Sequence, residues 1–516
     1  MARKSANCVI LLAVFVSLIS LRPVLGQATA PLKTDISREA LAAEMEGTIP
    51  DLMKKAEIPG LTIAVIRDGK LFWSKGFGVK SARTNEPVTE DTIFEAASLT
   101  KPFFAYAAMK MVESGKIDLD RPLLEYLPRE AIEKALGHSL DQEGFRGDWF
   151  RKITARHVLS HSSGLPHGER GMPYPIFFEP GTKYRYSADG YFYLQKVVEH
   201  LTGQPLDAWM QKTAIEPLGM TASRMVWQER YEKEAAVGHD VLGETDGKFR
   251  KRTEAHAAAT LYTTARDYAR FIMAMMNDIG LKPETIREML RPQIDVAKDL
   301  YWGLGFGLER TPNGDAFWQW GDYGIFRNYI VGYKEKKIGA VYLTNSFNGL
   351  SIGQDLVRAA IGGGKEPAIA YLNYDQYDSP GPLFFRAVVE KGSQEASRLF
   401  PEFTKAYPAE FNEAVVNRVG YQLISVRRLK EAIAVLKLNV GAHPASANVY
   451  DSLAEAYMNS GDKDLAIAYY KKALEAIPKD PRPDKDFLEQ LKKGAEEKLK
   501  ELEKKRKPEG SKAVIP

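Results

Sequence analysis

The sequence predicts a layered α/β (α+β) domain followed by an all-α module of short helical repeats. Three observations carry this. Strand-like, β-branched segments lie at both ends of residues 35–365, with helical stretches between them. A stretch rich in Pro and Gly follows at 366–382 and reads as a linker. Beyond it the chain repeats with a period of 34 residues.

The elements follow in chain order. Arg3 and Lys4 precede an uncharged apolar run over residues 9–21, and small residues follow at 24–26 and 28–30. Such a run is too short for a comfortable membrane span and suits a signal-peptide core. The expectation is a signal peptide over 1–26, cleaved after Gly26 or Ala30, with an uncleaved anchor as the alternative. The mature chain would be exported, periplasmic or secreted, with no membrane span. Cys8, the only cysteine, falls in this segment, so the mature chain would hold no disulfide and no thiol nucleophile. Loss of Arg3, Lys4 and Arg22 would lower the net charge from +4 to +1. A near-neutral chain offers no field for nucleic acid or an anionic membrane. With 516 residues, 44% hydrophobic and 27% charged, the chain is neither a disordered tail protein nor a disulfide-stapled mini-scaffold.

Residues 61–66 and 70–74 flank Asp68-Gly69 and read as a β-hairpin. Strands are also expected at 302–309, 317–321, 329–333 and 338–343, and helices at 98–114, 190–202 and 265–276. In the C-terminal part, Ala432 and Ala466, Leu436 and Tyr470, and Pro444 and Pro478 are each 34 residues apart. Within one copy the pattern Tyr450, Leu453, Ala454, Tyr457, Gly461, Ala466, Tyr470, Ala473, Pro478 resembles the tetratricopeptide repeat. A weaker copy precedes it at Ala396, Phe400 and Pro408. The repeats are expected over 383–480, and a Lys/Glu-rich helix or tail over 481–516.

The candidate chemistry is Ser98-Leu99-Thr100-Lys101-Pro102. Ser98 opens an expected helix whose apolar stripe is Phe104, Ala107, Ala108 and Met111, and Lys101 shares its face. A helix start favours a developing anion, and a buried lysine loses its proton easily enough to serve as a base. The same spacing recurs at Ser460 and Lys463, among polar turn residues, where a surface coincidence is expected.

Around this motif, residues 35–365 resemble the serine β-lactamase and penicillin-binding-protein superfamily, in its class C β-lactamase, esterase and D-aminopeptidase branch. The matching stretches are Ser98-Leu99-Thr100-Lys101-Pro102, His157-Val158-Leu159-Ser160-His161-Ser162-Ser163-Gly164, Tyr186-Ser187-Ala188-Asp189-Gly190-Tyr191, Pro217-Leu218-Gly219-Met220 and Trp302-Gly303-Leu304-Gly305-Phe306-Gly307. The resemblance implies a β-lactamase/transpeptidase-like fold: an antiparallel sheet flanked by helices, with a further helical region. It also implies roles. Ser98 would be the acylated nucleophile, Lys101 its general base, and Tyr186 the proton shuttle to the leaving group. By its residues alone, Tyr186 reads first as a packing aromatic, because Tyr184, Tyr191 and Tyr193 crowd the same stretch. Gln319, Gly321 and Asp322 would line the substrate, with the amides of Ser98 and Asp322 as oxyanion hole.

Two positions depart from the pattern. Ala188 stands where the family has asparagine, and Gln319 stands where it has lysine or histidine. The asparagine amide and the fixed cation are thus missing from their positions, which ranks β-lactam hydrolysis and D-alanyl-carboxylate recognition below ester, amide or peptide hydrolysis without removing them. Arg327 offers a substitute cation, or else is an exposed strand arginine. His157 and His161 have metal-ligand spacing, but without the glutamate of H-E-x-x-H a structural role is expected. No metal and no organic cofactor are implied. The expected function is an exported serine hydrolase acting on ester, amide or peptide bonds of a small-molecule or peptide substrate. The repeats would dock on the hydrolase or hold a protein partner. The rival reading is a non-catalytic binding protein that keeps the cleft and recruits partners through its repeats.

Overall fold

The structure is a computed structural model that describes residues 30–169 and 171–506. The expected signal peptide over 1–26, with Cys8, and residues 507–516 of the expected tail lie outside the described residues.

Eight antiparallel strands form the main sheet. After helix α1 (Arg38–Ala56), strands β1 (Gly60–Arg67) and β2 (Lys70–Gly78) form the expected hairpin. A small second sheet pairs β3 (Phe94–Glu95) with β4 (Tyr262–Thr263). The remaining strands are β5 (Ile294–Ala297), β6 (Leu300–Trp302), β7 (Gly307–Thr311), β8 (Gly314–Asp322), β9 (Arg327–Tyr333) and β10 (Ile338–Thr344). The main sheet runs β2-β1-β10-β9-β8-β7-β6-β5. The first strand thus closes on the last, with Leu61 opposite Thr344 and Ile66 opposite Gly339. Alternation along β1 feeds two cores. Helices α2 (Thr100–Glu113), α3 (Asp189–Thr202), α4 (Ala265–Met276) and α5 (Gly353–Ile361) follow α1 in the chain. Leu61, Ile63 and Val65 pack with Leu41, Met45 and Ile49 of α1 and with Leu356 and Val357 of α5. Ala64 and Ile66 face the opposite core, against Phe103 and Phe104 of α2 and Phe271 and Ile272 of α4.

The stretch 302–309, expected as one strand, is instead two strands, β6 and β7. Gly303 N–H donates to Phe306 O, and Gly305 turns at φ +98°. A Cβ at Gly305 would lie 2.4 Å from Ala105 Cβ, so the tight turn lets the sheet sit on α2.

The expected linker at 366–382 is also different. It holds a helix, α6 (Pro367–Leu372), and it leads directly into α7 (Pro380–Lys391). The reason is a long-range cap. Glu309 Oε2, on β7, accepts the Ala368 N–H at 2.9 Å, and Tyr333 Oη donates to Glu366 Oε2 at 3.1 Å. Proline and glycine marked a break, but the acceptor for the helix start comes from a strand about sixty residues earlier. Burial, and then the neighbouring Glu366 carboxyl, raise Glu309 well above the usual carboxyl range. The unfolded chain releases that proton near the ordinary value of 4.5 and the folded one does not, so stability falls as pH rises above that point. Accordingly, Glu309→Gln raises the thermal midpoint at pH 8 and has little effect at pH 4, as calorimetry at the two pH values would show.

The rest of the chain is helical: α8 (Ser393–Ala406), α9 (Glu413–Ser425), α10 (Leu429–Ala442), α11 (Ala447–Ser460), α12 (Lys463–Ala476) and α13 (Lys485–Arg506). Small residues permit close crossings: a Cβ at Gly420 would sit 2.5 Å from Leu436, and Ala454 occupies the same repeat position 34 residues on. The last helix is charged outward, yet buries Ala495, Leu499 and Leu502 against Leu453, Tyr457 and Tyr470. The module is docked on the sheet domain: Val241 packs with Phe384, Phe385 and Val416 in one cluster. No helix among the described residues is long and apolar enough to cross a membrane.

Candidate active site

The turn that carries Ser98 is held by surrounding backbone. A 3₁₀ turn, Ala97–Leu99, leads into α2. Ala97 lies at φ +50°, a conformation that costs a non-glycine residue on the order of 1 kcal/mol. Hydrogen bonds from all sides keep it there. Thr100 Oγ1 donates to Ala97 O at 2.7 Å and accepts the Leu261 N–H at 3.1 Å. Tyr268 Oη donates to Leu99 O at 2.7 Å, and Asn328 Nδ2 donates to Glu95 O at 2.9 Å.

Lys101 lies one turn along and is only 1% exposed. Its Nζ lies 3.1 Å from Ser98 Oγ and donates to Ala258 O at 3.0 Å. Burial lowers its pKa from 10.5 to about 7. Half of such lysines are neutral near pH 7, and a neutral amine beside a hydroxyl is a general base. The carbonyl of Ala258 left no mark in the sequence, because any residue type supplies it.

Tyr186 completes the group. Its phenol lies beside Ser98, and Lys101 Nζ lies 4.8 Å from its ring centre. Its loop is clamped by His161: Ser187 N–H donates to His161 Nδ1 at 3.0 Å, and Arg185 N–H donates to His161 O at 2.8 Å. The rings of His161 and Trp320 pack on Tyr186 at 4.2 and 4.6 Å. Burial raises the phenol above its usual range and holds His161 neutral. Tyr186 is therefore a neutral phenol at pH 7, able to pass a proton but unable to serve as the resting base. His157 caps its own short helix with Thr154.

Gln319 reaches the same group from β8. Expected as a substrate-binding group, it is fully buried. Its Nε2 donates to Tyr186 Oη at 2.8 Å and to Ser98 O at 3.3 Å. The alternation of β8 turns Gln319 and Gly321 to the same face, toward the nucleophile turn. Gln319 therefore holds the phenol and the nucleophile turn together. Gly321 is needed for contact: a Cβ there would lie 2.3 Å from Ala96 O.

The amide of Asp322 is the other expected oxyanion donor. Tyr323 N–H donates to Phe326 O, so Asp322 and Arg327 form the neighbouring pair that exchanges no hydrogen bonds. The Asp322 N–H thus points away from β9. On that side β7 pairs with β8 only as far as Trp318, opposite Gly307, so β7 gives the Asp322 amide no partner. Arg327 is no exposed strand arginine: its Nε is 3.2 Å from Asp322 Oδ2, and its side chain is 14% exposed. The second S-x-x-K is of a different kind. Ser460 donates to Tyr457 O at the end of α11, and Lys463 is exposed.

The sheet order, with helices on both faces and a serine–lysine turn against β8, defines the β-lactamase/transpeptidase-like fold. The chain belongs to the beta-lactamase family, whose profile matches residues 45–362, and a tetratricopeptide-repeat profile matches residues 447–480. The family is one of serine hydrolases, and this chain is one of them by class. It is 25% identical over 386 residues to the esterase EstB of Burkholderia gladioli, covering 62% of this chain and 95% of the esterase. It is 26% identical over 348 residues to penicillin-binding protein 4 of Amycolatopsis lactamdurans, covering 60% and 87%. Among solved structures, the D-alanine carboxypeptidase AmpC of Burkholderia cenocepacia shares the fold at a TM-score of 0.51 and 22% identity, covering 62% and 98%. The octameric penicillin-binding protein homologue of Pyrococcus abyssi does so at 0.52 and 23%, covering 68% and 82%.

Proposed function

We propose that the protein hydrolyses ester, amide or peptide bonds through an acyl-Ser98 intermediate. The observation that carries this reading is the buried, uncharged-capable Lys101 Nζ at 3.1 Å from Ser98 Oγ. Lys101 takes the Ser98 proton as Oγ bonds the substrate carbonyl carbon. The amides of Ser98 and Asp322 hold the oxygen that becomes negative. The tetrahedral species collapses, and the leaving group departs with a proton passed through Tyr186. Water then attacks the acyl carbon, gives its proton to the same Tyr186–Lys101 pair, and restores Ser98.

Esters and amides without an obligatory carboxylate fit the site better than β-lactams. The family's cation position holds neutral, buried Gln319, and the charge of Arg327 is met by Asp322. The likeness to EstB supports the same preference. We also propose that the chain is exported, on the strength of its N-terminal segment; the mass of the protein recovered from its source cells would be shorter by residues 1–26 or 1–30. The tetratricopeptide match supports a protein partner for the repeat module.

A fluorophosphonate and a chromogenic short-chain ester test the reaction. Intact protein is labelled once, peptide mass mapping places the adduct on Ser98, and Ser98→Ala abolishes both labelling and turnover. A folded protein that takes no label and turns over no ester would be the non-catalytic binding module instead.

A further inference from the structure

We propose that Tyr374 is a positioning residue for the active site, and that through it the repeat module holds the end of the strand that supplies the oxyanion amide. The inference rests on the acyl-Ser98 reading above. Asp322 donates that amide, yet its own side chain is a carboxylate beside the place where negative charge develops. An ionised carboxylate there opposes the oxyanion unless its charge is met and its direction held.

The structure meets that charge from three sides. Asp322 Oδ1 accepts the Gly324 N–H at 2.5 Å. Its Oδ2 accepts the Tyr374 hydroxyl at 2.6 Å and lies 3.2 Å from Arg327 Nε. Arg327 is in turn held between the rings of Phe347 and Tyr374, at 3.8 and 4.8 Å, while its Nη1 donates to Phe347 O. Tyr374 therefore touches both members of the ion pair. It draws the carboxylate toward the repeat side of the strand end, and the amide of the same residue is fixed with it.

Tyr374 is anchored by the repeats. The next residue, Asp375, pairs with Arg418 of α9: Oδ2 to Nε is 2.8 Å, and Nη2 donates to Oδ1 at 3.1 Å. Helix α7 crosses α9 closely at Gly381, where a Cβ would sit 3.0 Å from Val415 Cγ1. Around the joint lies a cavity of about 380 Å³ lined by Arg327, Tyr374, Arg386, Arg418 and Tyr421. At this cavity the chain Arg418–Asp375–Tyr374–Asp322 links the repeat helices to the end of β8. No proton or bond of the reaction runs through Tyr374; its effect is on the position and charge of Asp322.

The test uses the full-length protein and a chromogenic ester. In Tyr374→Phe, kcat falls about tenfold and KM stays within about twofold, because the lost hydrogen bond bears on the transition state. The Ki of phenylboronic acid rises about tenfold in step. In that adduct the Ser98 oxygen bonds boron, its proton goes to Lys101, and a boronate oxygen takes the oxyanion position. Tyr377→Phe is the control: that hydroxyl donates to Asp355 at 3.1 Å, and the variant keeps wild-type values. Arg418→Met loses activity severalfold, and the double variant loses no more than Tyr374→Phe alone. Should Tyr374→Phe fail to fold, Arg418→Met and Asp375→Asn carry the same kcat and Ki comparison. An active wild type with unchanged kcat in Tyr374→Phe, or equal losses in Tyr377→Phe, overturns this inference and leaves the hydrolase reading standing. A folded wild type inert to ester and fluorophosphonate overturns both.

Discussion

Lys101→Met lowers kcat/KM for a chromogenic ester by about 10³-fold and, at neutral pH, makes the protein more stable. The two effects have one cause. Burial without a counter-charge brings the Lys101 amine from 10.5 to about 7. Neutral, it accepts the Ser98 proton; charged, it cannot. The wild-type acylation rate therefore rises with pH through a midpoint near 7, and at pH 5.5 is about thirtyfold below its plateau. The stability effect has a definite sign. Between about pH 7 and 10.5 the unfolded chain holds a proton on this lysine and the folded chain does not, so wild-type stability climbs with pH across that window. Methionine fills the space without the desolvation penalty. Its thermal advantage is largest below pH 7 and shrinks toward pH 10.5. A stopped-flow pH profile and calorimetry of both proteins check this. A flat acylation profile from pH 5.5 to 9 would remove Lys101 from the role of base.

Gly321→Ala is expected to cost about 10²-fold in kcat/KM and about 1–3 kcal/mol of stability. The new methyl carbon would sit 2.3 Å from Ala96 O. Both sides of that contact are backbone. The strand is held by β9, and the turn by the bonds from Thr100, Tyr268 and Asn328. Neither yields as a flexible side chain would, so β8 and the nucleophile turn must separate. Gln319 Nε2, the Asp322 amide and Ser98 then lose their mutual placement. Gly364→Ala, where an added Cβ meets nothing within 4 Å, leaves stability within about 0.5 kcal/mol and activity unchanged. Ester kinetics and denaturant melts of the two variants decide it. A Gly321→Ala protein with wild-type kcat would mean that β8 does not need to touch the turn.

Much of the site was legible because it is local. Ser98 and Lys101 are three residues apart at a helix start, and the helix forms as the apolar stripe predicts. Tyr186 sits on the loop before α3, where the resemblance put it. The 34-residue period is local too: Ala432 and Ala466 are both buried at helix crossings. The failures are long-range. The break at 366–382 was read from Pro and Gly, but its helix is capped by Glu309 from another element. The bond from Gln319 to Tyr186 joins residues 133 apart and carried no signal in the motif. Tyr374 and the carbonyl of Ala258 carried no signal, since each acts through a partner distant in sequence.

Two serine–lysine pairs show where the division falls. Ser98 and Lys101, and Ser460 and Lys463, have the same spacing, and the sequence by itself determined that spacing, the helices beside it and the repeat that follows. Only the tertiary structure decided that the first lysine is sealed beneath Tyr186 while the second stands in water. The physical reason is that spacing follows from the geometry of a single helix, whereas the proton affinity of an amine follows from the solvent that surrounding elements remove.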